Sequence, residues 1–340
     1  MGIKKFLRKS ILALFLLFLI IAVLSCGRKG DWRKRIKSIP EAKEKPSQVC
    51  PICGMEVASS EVSHRPIAVI VENLVSIRPQ SGLDKACVVF EALAEGGITR
   101  LLAIYFHQDA NVIGPVRSAR PYHVALVPGF DAIFAHCGGS PRAMNAIKTS
   151  GIADLDQFAF PQAYWRVRGI KAPHNLFTST KGIRNVARKV GLEKGVLYRG
   201  FKHKPDAPLK KRPEGQKITI NFSSPAYKVQ YSYDRKSNSY LRFNGGEPHM
   251  ERTTGSQLQP KNVVVMYCPT EMYDIQRLNI QVVGKGKCLV FRDGIVVEGI
   301  WHKAGERSEL SFKDEHGSEI PFNPGQIWVE IVKPGTGVKY

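Results

Sequence analysis

The residues best suited to chemistry lie in two basic, glycine-containing junctions. Gly114-Pro115-Val116-Arg117-Ser118-Ala119-Arg120 ends a strand-like stretch and leads into a helix, and Gly138-Gly139-Ser140-Pro141-Arg142 does the same one unit later. A strand–glycine–helix junction exposes backbone N–H groups, and the helix dipole favours an anion there. Arginine adds a planar fork of donors that matches a carboxylate or phosphate. Arg117, Ser118, Arg120, Gly138, Gly139 and Ser140 are therefore expected to line one anion-binding cleft, with His136, His174 and Asn175 as further ligand contacts. The alternative is that Arg117 and Arg120 pair with Glu91 and Glu95 inside the fold, while the glycines only permit tight turns.

A serine with a nearby histidine is the minimum for a nucleophile and its base. Ser140 has His136 just upstream and His174 further on. Gly138-Gly139-Ser140-Pro141 is not a G-x-S-x-G elbow, however. The proline after the serine also removes the N–H that an oxyanion hole of that type uses. No catalytic residue is assigned, and a Ser/His hydrolase stays the alternative to a binding protein. No P-loop, H-E-x-x-H or dinucleotide fingerprint is present, so no cofactor is expected. Cys50-Pro51-Ile52-Cys53-Gly54 has the form of one zinc-ribbon knuckle. A structural zinc needs four ligands, and no second C-x-x-C exists, so no metal is expected. A disulfide, half a metal site or two free thiols all remain open for this pair.

These residues need a frame. From Pro66 onward, Ile67-Ala68-Val69-Ile70-Val71, Ala86–Ala94, Leu101–Phe106 and Asp131–Cys137 are short apolar runs. Between and after them lie helical stretches at Tyr122–Val127, from Ser140, and over Thr180–Leu192. Ser140 is the N-cap and Pro141 the first helical residue. Strands alternating with helices predict an α/β layer over 64–200. Residues 201–216 interleave Lys and Arg with Pro205, Pro208 and Pro213, which is linker chemistry. Beyond them the period is two, with turns at Asn244-Gly245-Gly246, Arg292-Asp293-Gly294 and Asn323-Pro324-Gly325. Gly284-Lys285-Gly286 also reads as a turn. Residues 217–340 are thus a smaller, mainly β domain. The fold class is α+β or α/β: an α/β sandwich-type domain followed by the β domain.

The N-terminus sets the compartment. Lys4, Lys5, Arg8 and Lys9 precede an uncharged run, Ile11–Leu24, that ends in Val23-Leu24-Ser25-Cys26. The run is shorter than the ~20 residues that span a bilayer. Its form resembles a bacterial lipobox, which implies a signal peptide over 1–25 and a palmitate-type acyl anchor on Cys26. Residues 26–63 are read as a basic tether carrying the C-x-x-C knuckle. The whole chain of 340 residues carries a formal net charge of +21. A basic surface attracts polyanions, but no nucleic-acid module is present and none is expected as a partner.

Further motifs carry a resemblance. Arg78-Pro79-Gln80-Ser81-Gly82-Leu83, Glu91-Ala92-Leu93 and Glu95-Gly96-Gly97-Ile98-Thr99-Arg100 are followed by the Arg117–Arg120 segment and by Ala172-Pro173-His174-Asn175. Phe243-Asn244-Gly245, His249, Thr254-Gly255, Trp301 and Asn323-Pro324-Gly325-Gln326-Ile327-Trp328 come in order after them. This pattern resembles the YerB-like lipoproteins, a two-domain bacterial family of unassigned function. The resemblance implies a protein anchored on the extracytoplasmic face of the cell membrane. The expected role is binding of an anionic envelope component or an envelope protein, with a structural adaptor of a membrane complex as a further alternative.

Overall fold

The computed structural model describes residues 47–195 and 200–340. The signal peptide, the Cys26 lipidation site and the tether as far as residue 46 lie outside the described residues.

Runs of apolar residues that must be buried on both sides build the centre of the molecule. They form one mixed ten-stranded sheet. A hairpin of β1 (Ser47–Val49) and β2 (Glu56–Ala58) precedes it. The strands of the first half are β3 (Ile67–Glu72), β4 (Val88–Leu93), β5 (Thr99–Tyr105), β6 (Ile133–His136) and β7 (Ala153–Asp156). A second small hairpin pairs β8 (Tyr164–Arg166) with β9 (Leu176–Thr178). The second half supplies β14 (Asn262–Tyr267), β17 (Gly284–Arg292), β18 (Ile295–Lys303), β19 (Ser311–Lys313) and β20 (Ile327–Val332) to the large sheet. Its order is β19-β18-β17-β14-β20-β4-β5-β3-β6-β7. The remaining strands of the second half are β10 (Lys217–Asn221), β11 (Lys228–Asp234), β12 (Ser239–Asn244), β13 (Glu247–Pro248), β15 (Thr270–Met272), β16 (Leu278–Ile280) and β21 (Val338–Lys339).

Both faces of the large sheet are covered, which is why β3 and β20 are buried at every position. On one face lie α1 (Pro121–Leu126) and α2 (Pro141–Ser150), contributing Tyr122, Val124, Ala143 and Ile147 to a core with Ile70, Phe90, Leu102 and Val329. On the other lie α3 (Thr180–Lys189) and a five-stranded sheet of order β13-β12-β11-β10-β21. There Ile183, Ile218, Val229 and Tyr231 pack on Val69, Leu101, Val265 and Trp328. The outcome is a mostly β, mixed-sheet protein with few helices, closer to α+β than to a parallel α/β layer.

One expected boundary changes, and the two halves share a sheet. The tether expected over 26–63 ends sooner: Cys50, Ile52 and Cys53 are fully or nearly fully buried, and Pro46–Tyr340 forms one compact unit. The two halves are also not separate layers. β20, from the end of the chain, pairs in parallel with β14 on one side and with β4 on the other. A strand of the second half therefore completes the sheet of the first.

Candidate functional site

One end of the large sheet gathers charge. β3 ends in Glu72, with Asn73 just after it, β4 runs into a tight turn carrying Glu95, and antiparallel β5 begins with Thr99 and Arg100. The segment Val116–Ala119 runs beside this end, held by Arg117 N–H donating to the Ile70 carbonyl at 3.0 Å. The loop before β9 brings in His174. Together with Gln276 and Arg277 these residues line a polar cleft of about 350 Å³.

The cleft is internally paired but not internally balanced. Arg120 donates to both oxygens of Glu95, through Nε to Oε1 and through Nη2 to Oε2, the latter at 2.7 Å. Arg100 Nη2 shares the same Glu95 at 3.7 Å, and its Nη1 donates to the Ser118 carbonyl at 3.0 Å. Burial, with Arg120 and Arg117 nearby, pulls the Arg100 guanidinium down to about 10. Glu95 is held below the usual carboxylate range, since Arg120 and Arg100 outweigh its burial. Arg117 Nε lies 3.1 Å from Glu72 Oε1, but the approach does not make a hydrogen bond, and this buried N–H has no other partner among the described residues. His174 Nδ1 meets both Glu72 oxygens at 2.9 Å. Three arginines and a histidine thus crowd two carboxylates, with Arg277 at the rim tied to Asp274.

Of the residues singled out in the sequence, the fold brings Arg117, Arg120 and His174 to this cleft, with the Ser118 carbonyl bonded to Arg100. Asn175 is next to His174 but turns to Arg166, whose Nη1 donates to Asn175 Oδ1 at 2.8 Å. His136, Gly138, Gly139 and Ser140 are not part of it. His136 is fully buried, with Nε2 2.8 Å from Asp154 Oδ1 and Nδ1 2.8 Å from the Gly138 carbonyl. Both ring nitrogens are used, so neither serves Ser140. Ser140 caps α2, its Oγ accepting from Ala143 N–H at 3.4 Å. The expected free donors are consumed as well: Gly138 N–H donates to Asp156 Oδ1 at 2.8 Å and Ser140 N–H to the Ala119 carbonyl at 3.3 Å. The helix after Arg120 has only six residues, Pro121–Leu126, so the charge in the cleft is carried by side chains and not by a helix end.

The expected pairing of the arginines with Glu91 and Glu95 is half right. Glu95 takes Arg120, but Glu91 belongs to a buried seam that periodicity did not signal. Arg242 of β12 donates to Glu91 of β4 and to Glu330 of β20, and to the Tyr231 hydroxyl. The guanidinium lies 3.9 Å over the Trp328 ring. Arg242 Nε donates to His249 Nδ1 at 2.9 Å, and His249 Nε2 meets Gln80 Oε1 at 2.8 Å. Gln80 and Arg78 both reach Asn73. This seam welds the five-stranded sheet to the large one and ends at Asn73, on the floor of the cleft. Its one sequence signal was that Arg78, Gln80, Glu91 and His249 all stand in the motifs that carry the family resemblance.

The Cys50–Cys53 knuckle also has partners that the sequence hid. The thiols of Cys50, Cys53 and Cys87 and the ring of His107 converge, and none of the three cysteines is in a disulfide.

The comparisons with known proteins agree with this architecture. Residues 52–193 match the model described as "Protein of unknown function (DUF3048) N-terminal domain", and residues 218–329 match its C-terminal domain. The chain is 34% identical over 330 residues to a Bacillus subtilis (strain 168) protein named "Putative lipoprotein YerB", covering 93% of each. The crystal structure of YerB from Bacillus subtilis superposes with a TM-score of 0.78 at 31% identity, covering 86% of this chain and 100% of that one. Both halves, their order and the fold match, and this chain belongs to the DUF3048 family, whose members include a protein named as a lipoprotein.

Proposed function

We propose that this chain is a lipid-anchored binding protein of the bacterial cell envelope, and that its cleft takes a carboxylate or phosphate group of an envelope component. The observation that carries the reading is the surplus of cationic groups in the cleft: among the described residues Arg100, Arg117 and Arg120 face two carboxylates, Glu72 and Glu95, with His174 beside them. A phosphate or carboxylate would supply the missing negative charge. The lipobox-like N-terminus and the relative's name support the anchor. A hydrolase gains no support, because His136 and Ser140 are each bound up in the frame.

Arg117 and Arg120 differ in role under this reading. Arg120 is a brace, its fork filled by Glu95, whereas Arg117 pairs with Glu72 through Nε alone and keeps part of its guanidinium open to the cleft. Isothermal titration of the mature full-length chain with inorganic phosphate, and then with a glycerol-phosphate polymer, tests this. Arg117→Gln should weaken binding by roughly 10–100-fold, the worth of a charged hydrogen bond of ~1.5–3 kcal/mol, with little change in melting temperature. Arg120→Gln should instead lower stability by ~1.5–3 kcal/mol. Binding should also weaken as salt rises. Equal binding by wild type and Arg117→Gln, or a collapse in stability of Arg117→Gln, would reject the ligand role.

A further inference from the structure

We infer that Cys50, Cys53, Cys87 and His107 form a structural zinc site that fastens the start of the folded chain to the large sheet. The four ligand atoms all lie within 4.8 Å of one another. Tetrahedral zinc with Zn–S near 2.3 Å and Zn–N near 2.05 Å has S···N edges of about 3.6 Å and S···S edges of about 3.8 Å. The Cys53 Sγ···His107 Nδ1 and Cys87 Sγ···His107 Nδ1 separations are 3.5 and 3.4 Å, close to such an edge. Three soft thiolates and one imidazole suit zinc better than a hard cation.

The backbone around the knuckle is shaped for this. The Gly54 N–H donates to the Cys50 carbonyl at 2.8 Å, and Cys50 N–H donates to the Met55 carbonyl at 2.8 Å. The turn places Gly54 at φ +72°, and a Cβ there would come within 2.4 Å of the His203 ring. Cys87 leads into β4 and His107 follows β5, which pairs antiparallel with β4, so the sheet itself brings these two ligands together. His107 has an outer partner: its Nε2 lies 3.2 Å from the Gln108 side-chain amide. With Nδ1 on the metal, Nε2 carries the proton, and the Gln108 amide, whose nitrogen faces it here, would have to flip to present its oxygen as acceptor.

Hydrogen bonding among the thiols alone satisfies this cluster poorly. Three S–H groups and one imidazole nitrogen are packed where Cys50, Cys53 and Cys87 are 0–2% exposed. A cation converts this crowd of three thiols and one imidazole into a closed shell. The site also has a mechanical consequence. The Cys53 carbonyl accepts from Gly325 N–H at 2.7 Å and the Pro51 carbonyl from Phe201 N–H at 3.0 Å. The knuckle thus touches the turn before β20 and the start of the linker, so a metal here would clamp the N-terminal segment to both halves.

The test uses the purified full-length chain. Metal analysis should find one zinc per chain. After chelation and reduction, titration with Co²⁺ should give thiolate-to-cobalt charge transfer and tetrahedral visible bands that saturate at one equivalent. Cys87→Ser and His107→Ala should weaken Co²⁺ binding by more than the ~10–100-fold that loss of an outer-shell partner costs. His107→Cys should retain binding with stronger charge transfer, and Cys137→Ser should change nothing. Reduced wild-type chain that gives no saturable cobalt spectrum would overturn the site. So would unchanged affinity in Cys87→Ser, or a Cys50–Cys53 disulfide in metal-free protein isolated without reductant. Because Co²⁺ binding is read directly, a variant that folds poorly does not decide the matter, and phosphate binding by the cleft is an independent measurement.

Discussion

One guanidinium, that of Arg242, stands between two carboxylates, Glu91 and Glu330, and all three side chains are fully buried. The pairing leaves one negative charge too many in a medium that tolerates none. A proton removes it. Burial first, and then the negative charge of Glu91, push Glu330 from 4.5 up to about 7, against the pull of Arg242. Glu330 Oε2, buried without a partner among the described residues, is where such a proton would sit. The folded chain then binds this proton more tightly than the unfolded chain does. Stability from this group is full below about pH 4.5 and is lost as pH rises through about 7, by about 3 kcal/mol at most. Glu330→Gln fixes the neutral form and keeps an oxygen for Tyr231 and Arg242. The melting temperature of the variant should gain on wild type between pH 4.5 and 7 and then level off. A difference that stays flat across this window would reject a protonated Glu330.

At the scale of elements, Ser140 shows how a residue that looks chemical can be architectural. It caps α2, with Pro141 at the first helical position and Gly151 just past the end. Ser140→Ala should cost about 1 kcal/mol in chemical denaturation and leave phosphate binding unchanged. A loss of binding with intact stability would return Ser140 to the site. This cap was legible in the sequence because its spacing is local. So were β3 and β14, whose apolar runs demand burial on both faces, and β20, although Glu330 interrupts its run. Other elements were not. Gly284-Lys285-Gly286 reads as a turn yet opens the nine-residue β17. The reason lies across the sheet: a Cβ at Gly286 would come within 2.7 Å of the Trp301 indole nitrogen, so this glycine makes room for a tryptophan within a strand. In β12, Arg242 and Asn244 face inward while Leu241 and Phe243 are half-exposed, which inverts the usual alternation. Only the carboxylates of β4 and β20 explain that inversion, and Glu91 lies 151 residues away in the chain. The cleft was half legible for the same reason. Arg117 and Arg120 are neighbours in sequence, whereas Glu72, Arg100 and His174 join them only through the sheet.

At the scale of the whole molecule, the family models divide the chain near the linker, but the hydrogen bonds do not. Removing the second half would strip β20 from β4 and leave β4 as a bare, apolar edge. It would also take Arg242 from Glu91 and uncover the face that Ile218, Val229 and Tyr231 protect. The second half alone would keep β14 and β20 paired but lose β4 as their neighbour. Neither half should therefore fold by itself, although the linker between them is a surface segment suited to cleavage. Expressed separately, residues 46–200 and 201–340 should each lack a cooperative melt, and expressed together they should form a one-to-one complex. A chain nicked within 201–216 should likewise stay associated and unfold in a single transition. The coupling is strong enough to see: each buried Val or Ile side chain that loses its cover forfeits ~1.5–3 kcal/mol, a large share of the ~5–15 kcal/mol that holds a domain together. If residues 46–200 alone melt cooperatively near the wild-type temperature, β20 is an ornament of the sheet and not its closing strand. If they do not, the cleft at the end of β3, β4 and β5 exists only when β20 has arrived, and phosphate binding would report completion of the whole fold.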